Sequence, residues 1–152
     1  MRLNARVDYA LRAVAELVAA GGSATAPVTS ERLATAQGIP PKFLESILLQ
    51  LRRAGVVHSQ RGPEGGYWLA KPADEISLAD IIRVIDGPLA NVRGQRPEDL
   101  GYQGAAAALQ EVWIALRASE REILELVTVA DVARGKLPRR VRALAANPDA
   151  WT

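Results

Sequence analysis

The sequence predicts a mainly α-helical chain with one small β-hairpin, and three observations predict it. Residues 29–53 read as a short helix, a turn at Gln37-Gly38 and a second amphipathic helix. Directly afterwards, strand-like runs at 56–59 and 67–69 flank a glycine-rich tip at 60–66. From Gly104 to about Val127, apolar residues recur in sevens. A helix-turn-helix followed at once by a hairpin is a winged helix-turn-helix, and the late heptad stripe adds a long C-terminal dimerisation helix. The expected organisation is a winged helix-turn-helix domain at 1–87, a loop at 88–103, the dimerisation helix with a short following helix at 104–135, and a basic tail at 136–152.

Each element has its own signal. Residues 4–20 form the first helix. Val7, Leu11, Val14 and Val18 recur on one stripe, Ala10 and Leu17 widen it, and Asn4 is the candidate N-cap. Gly21-Gly22-Ser23 ends it. Thr29-Ser30 offers a cap for a short helix anchored by Leu33. Pro40-Pro41 opens the next helix, where a missing N–H costs nothing. Its buried stripe is Leu44, Ile47, Leu48 and Leu51, and Arg52 and Arg53 suit the dipole of its last turn. Ser77 caps a helix carrying Leu78, Ile81, Ile82 and Ile85 that ends at Gly87-Pro88. Residues 88–103 show no apolar period. Leu109, Leu116 and Ile123 recur every seven residues, with Val112 and Leu126 at the second position, as a dimer seam requires. Alternatively, the stripe packs on its own domain. Thr128 to Asp131 starts a short helix ending at Gly135.

Composition excludes several chemistries. The 152 residues contain no cysteine and one histidine, His58, so disulfides, thiolate metal sites, cysteine nucleophiles and multi-histidine sites are all excluded. No G-x-S-x-G or phosphate-loop pattern occurs, and no enzyme is expected. Without a signal segment or a membrane-length apolar run, the chain reads as cytoplasmic with no membrane role. Residues 1–71 carry nine Lys/Arg against five Asp/Glu, residues 72–135 six against eleven, and residues 136–152 four against one. A basic front suits a polyanionic partner, although scattered surface charge gives the same sums.

The second helix of the helix-turn-helix presents Lys42, Glu45, Ser46 and Leu49 opposite its buried stripe. In a major groove, Lys42 can donate to guanine or phosphate, Glu45 can accept from cytosine N4, and Ser46 can do either. Phe43, beside them, can touch a thymine methyl or simply pack. In the hairpin tip, Arg61 is long and charged enough to enter a narrow minor groove, with Gln60 secondary and Gly62 permitting close approach. Thr29 and Ser30 could sit beside a phosphate at a helix N-terminus, or could merely cap it. The ordinary alternative for all of these is a solvated surface.

These residues resemble the Rrf-two type winged helix-turn-helix transcriptional regulators, the family of IscR, NsrR and CymR. The resemblance begins at Met1-Arg2-Leu3 and Asp8-Tyr9-Ala10-Leu11-Arg12. It is strongest at Arg52-Arg53-Ala54-Gly55-Val56-Val57 and at Ser59 to Tyr67, which reads SQRGPEGGY, and it continues at residues 76–82 and at Asp86-Gly87. It implies a homodimer bound to two-fold symmetric double-stranded operator DNA, usually as a repressor, with recognition-helix contacts at Lys42, Glu45 and Ser46 and a wing arginine at Arg61. Many members hold an iron–sulphur cluster on three cysteines in and after the loop corresponding to 88–103. This chain has none, so it is expected to carry no such cofactor. Asp8 stands where one branch supplies a carboxylate ligand; without thiolates beside it, it is a leftover or pairs with Arg12 at i+4. Pro40 replaces the usual Ser-like cap. The signal is then a small molecule, with Trp68, Tyr102 and Trp113 as lining candidates that otherwise serve as core, or a partner protein. The reading from a different class is a winged-helix protein-interaction module that no longer binds DNA.

Overall fold

A computed structural model describes residues 1–152. The chain forms α1 (Ala5–Ala19), α2 (Ser30–Gln37), α3 (Pro41–Arg53), β1 (Val57–Gln60), β2 (Gly66–Leu69), α4 (Leu78–Asp86), α5 (Leu109–Leu124), α6 (Val129–Arg134) and α7 (Arg139–Ala145). This is the mainly helical fold with one hairpin that the periodicities predict.

Helix starts follow from capping chemistry. The side chains of Asn4, Thr29, Ser77 and Thr128 accept from Val7, Arg32, Asp80 and Asp131 backbone N–H groups respectively. At α4 and α6 the aspartate returns the bond to the cap residue's own N–H, so two orphan donors are satisfied reciprocally. Pro40 makes no side-chain cap to α3. The fixed proline backbone replaces it.

The core is where the stripes meet. Val14 and Leu17 of α1, Leu33 of α2, Leu44, Ile47, Leu48 and Leu51 of α3, Val57 of β1 and Ile81 of α4 are all buried together. Fully burying one such side chain stabilises by about 1.5–3 kcal/mol, so this cluster sets the angle of α3. Leu11 and Val18 of the first stripe are only half-buried at its margin.

The hairpin pairs Val57 with Leu69, His58 with Trp68, Ser59 with Tyr67 and Gln60 with Gly66, one residue later at its first strand than the residue types suggest. A third segment joins it. Val28 donates to the Tyr67 carbonyl at 2.9 Å and accepts from the Tyr67 N–H at 2.8 Å. The loop before α2 is thereby locked to the wing.

Two regions differ from the sequence expectation. Residues 88–103 lack period but not order. Leu89, Pro97 and Leu100 are buried, and the Gln110 side chain donates to the carbonyls of Glu98 at 3.1 Å and Leu100 at 2.6 Å. The long helix begins at Leu109 rather than Gly104. Residues Gly104–Ala106 form one 3-10 turn, and no side chain caps α5. Alanines at 105–108 favour a helix intrinsically, but without a cap the glycine ahead of them turns the chain instead. Leu126 lies past the end of α5, so the final seam residue sits on the turn that follows the helix.

The chain then returns. Leu78 N–H donates to Val127 and Val129 N–H donates to Ile76, at 3.0 and 2.9 Å. Val127, Val129 and Ala130 are buried, and α6 lies against α1. α7 buries nothing. No helix is long and apolar enough to cross a membrane.

Candidate nucleic-acid interface

α3 is carried on four buried residues, which forces its other side outward. Lys42, Glu45 and Ser46 are exposed there. Ser46 is not idle: its hydroxyl accepts from Arg6 Nη1 at 2.8 Å and donates to the Phe43 carbonyl at 3.2 Å. Arg6 Nη2 also donates to Gln50 Oε1 at 2.9 Å, and Gln50 Nε2 donates to the Val84 carbonyl at 2.7 Å. The start of α1 therefore adds a guanidinium to the face of α3, and the same chain of bonds ties α3 to α4. Phe43 meets Tyr9 edge-on, ring centroids 6.2 Å apart, yet stays 54% exposed. It packs and still presents apolar surface. Asp8 pairs with Arg12 at 3.0 Å, and the Arg12 guanidinium lies 5.4 Å from the Tyr9 ring centroid.

The wing tip is shaped by backbone. Gly65 N–H donates to the Gly62 carbonyl at 2.9 Å. A Cβ on Gly66, at φ +153°, would fall 2.6 Å from the Val28 carbonyl, so only glycine passes there. Arg61 projects from this tip into solvent.

Between α2, α3 and the wing lies an open groove of about 390 Å³. It gathers Thr29, Ser30, Gln60, Arg61 and Gly62, which the sequence singled out separately, with Arg52 and Leu49 added from α3. Arg52 Nη1 donates to Ser59 Oγ at 3.3 Å and so bridges α3 to β1. The sequence assigned Arg52 to the helix dipole, although Glu45, Leu49 and Arg52 share one face at i, i+4 and i+7. Arg6 had no local signal, because its partners are forty and more residues away. Thr29 Oγ1 is occupied as a cap. Arg52 and Arg61 are the two cations lining the groove, and Lys42 lies outside its lining on the exposed side of α3.

The remaining candidates fall elsewhere. Trp68 lies across the hairpin from His58, rings 5.8 Å apart. Trp113 Nε1 donates to the Tyr102 hydroxyl at 3.0 Å, where the approach to α5 packs on the helix. Trp68 lines a surface cavity with Leu17 and Lys71 that includes neither Tyr102 nor Trp113. The seam residues Leu109, Val112, Leu116, Ile123 and Leu126 are 36–52% exposed, a large apolar strip to leave in water.

The family model described as Rrf2, iron-dependent transcriptional regulator, matches residues 3–135. A Mycobacterium tuberculosis protein named as an HTH-type transcriptional regulator is 52% identical over 145 residues, covering 95% of this chain and 89% of its own. The HTH-type regulator CymR of Bacillus subtilis is 32% identical, covering 88% and 90%. Its solved structure superposes with a TM-score of 0.73 over 88% of this chain and 97% of that one, at 30% identity. A structure of T. potens IscR gives 0.70 over 100% and 97%, at 27% identity. Iron held on thiolates does not fit these residues. There is no cysteine, and nowhere do three His, Asp or Glu side chains converge.

Proposed function

The chain belongs to the Rrf2 family of winged-helix transcriptional regulators, and from that premise we propose that it is a cytoplasmic homodimeric repressor reading a two-fold symmetric operator. α3 enters the major groove with Lys42, Glu45 and Ser46 towards base edges, and Arg61 enters the adjacent minor groove. Two copies pair along α5. The trigger is a small molecule or partner protein and not an iron–sulphur cluster.

What supports this reading is the joint placement of Arg52, Gln60, Arg61 and a helix N-terminus around one groove beside the exposed face of α3. Cations there have no acidic neighbour among the lining residues, which leaves them free for an anionic partner such as a phosphate. Pairing along α5 is supported by the exposed apolar strip, which carries no charged residue at its seam positions.

Selection of bound fragments from genomic DNA by the purified protein tests the reading. The expected product is a set of sites with an inverted repeat. Their affinity should fall with salt at a log–log slope near −0.9 for each phosphate neutralised. Arg61→Ala should weaken binding about tenfold and reduce that slope by about one unit, while leaving the fold intact. Recovery of no enriched site, with or without cell extract, would overturn it in favour of a protein-binding module.

A further inference from the structure

Away from the groove, four guanidiniums converge on one cavity. Arg83 comes from α4, Arg96 from the ordered 88–103 segment, and Arg117 and Arg121 from α5. The cavity is open to solvent and has a volume of about 430 Å³, within the range of roughly 300–1,000 Å³ typical of small-ligand sites. Gly87, Pro88 and Leu89 also line it, and Glu98 is its one acidic lining residue.

Charge is not balanced there. Arg117 pairs with Glu98. Arg83 and Arg121 share the single carboxylate of Glu125. Arg83 also lies 3.9 Å from one oxygen of Asp80, whose other oxygen accepts from the Ser77 N–H. The Arg96 guanidinium makes no ion pair or hydrogen bond and acts on Glu98 only by its charge. Arginines brought together on three separate segments repel one another, and the acids present offset that only in part. Exposed arginine–carboxylate pairs contribute little net stability, so an incoming oxyanion can replace Glu98 or Glu125 at small cost. A guanidinium's parallel N–H groups match carboxylate and phosphate oxygens equally well.

We propose that this cavity binds a small, multiply charged oxyanion, a metabolite bearing two or more phosphate or carboxylate groups. The ligand sits between α4 and α5, bonded by Arg96 and Arg121 and flanked by Arg83 and Arg117. Its regulatory meaning rests on the repressor reading, because a ligand there would join the DNA-binding part to the pairing helix. Its binding does not, and is measured without DNA.

The test is calorimetric titration of the full chain with pyrophosphate and, separately, citrate, at fixed ionic strength in chloride. Saturable binding of pyrophosphate, of citrate or of both is expected, and the tighter of the two identifies the headgroup chemistry. Arg96→Gln and Arg121→Gln should each weaken it by about tenfold or more. Arg139→Gln, the same charge change on the exposed α7, should alter it less than about twofold. Two results would overturn the proposal: no saturation with either probe up to about 10 mM, or equal weakening by Arg139→Gln, which would mean attraction to overall charge. Unchanged melting temperatures in Arg96→Gln and Arg139→Gln separate lost binding from lost fold.

Discussion

Replacing Gly66 with alanine asks what holds the wing in place. An added Cβ would lie 2.6 Å from the carbonyl carbon and oxygen of Val28 and 2.9 Å from its nitrogen. These are backbone atoms and yield only if the two Val28–Tyr67 hydrogen bonds break. A residue with a Cβ in sparsely populated backbone territory costs about 1–3 kcal/mol, and two hydrogen bonds add about 1 kcal/mol each. Gly66→Ala should therefore destabilise by about 3–5 kcal/mol. Gly62→Ala is the control. Its φ is +108°, yet nothing lies within 4 Å of the added atom, so the strain acts alone at about 1–3 kcal/mol. In a chain of this size 1 kcal/mol moves Tm by about 2–4 °C. The two variants should thus melt about 5 °C apart, with Gly66→Ala the lower by calorimetry or by loss of far-UV circular dichroism. Fold-corrected DNA affinity should also fall further for Gly66→Ala, because its wing is no longer anchored. Equal melting of the two would refute the idea that the Val28 bridge positions the wing.

Three further outcomes follow from the same coordinates. If two copies pair along α5 as proposed, Leu116→Lys, which places a charge in the middle of the exposed strip, should lower the mass in light scattering from dimer to monomer; a dimer of unaltered mass would move the pairing surface elsewhere. Ser77→Ala removes one half of the capping box on α4 and should cost about 1 kcal/mol in urea unfolding, against no measurable loss if the cap is idle. Hydrogen bonds from Arg121 and then Arg83 hold the Glu125 carboxyl below its ordinary value of 4.5. On acidification the unfolded chain takes that proton first, so the stabilisation is whole above about pH 4.5 and disappears as pH drops through the lowered value. Glu125→Gln should lose less stability than the parent between pH 4.5 and more acid conditions, and parallel pH curves would show that the pair contributes nothing.

Much of this was legible because it is local. The spacing of Leu44, Ile47, Leu48 and Leu51 identified the buried side of α3, and each is at most 1% exposed. Caps at Asn4, Thr29, Ser77 and Thr128 were readable because a short polar side chain before an apolar stripe has one obvious use. What escaped has no period. The Val28 bridge is a single residue paired with another far along the chain. Leu89, Pro97 and Leu100 are spaced irregularly because the segment is held by separate anchors rather than by a repeating face. Arg6 became part of the α3 surface only once α1 and α3 were packed together, and the four cavity arginines were brought together in the same way. Trp68, Tyr102 and Trp113 were lining candidates by residue type, and type alone does not show that the cavity beside Trp68 includes neither of the other two.

The strap from α5 back to the winged part has a practical consequence for dividing the molecule. Ile76 and Leu78 are hydrogen-bonded to Val129 and Val127, and α6 covers α1 with buried Val129 and Ala130. The winged part is thus discontinuous along the polypeptide, its last piece arriving only after α5. A fragment severed at residue 87 would bare apolar surface on α1 and leave the Ile76 carbonyl and Leu78 N–H without partners. Anyone moving the winged part into another protein would have to carry residues 127–135 along as a separate insert, or lose the cover that Val129 and Ala130 give to α1.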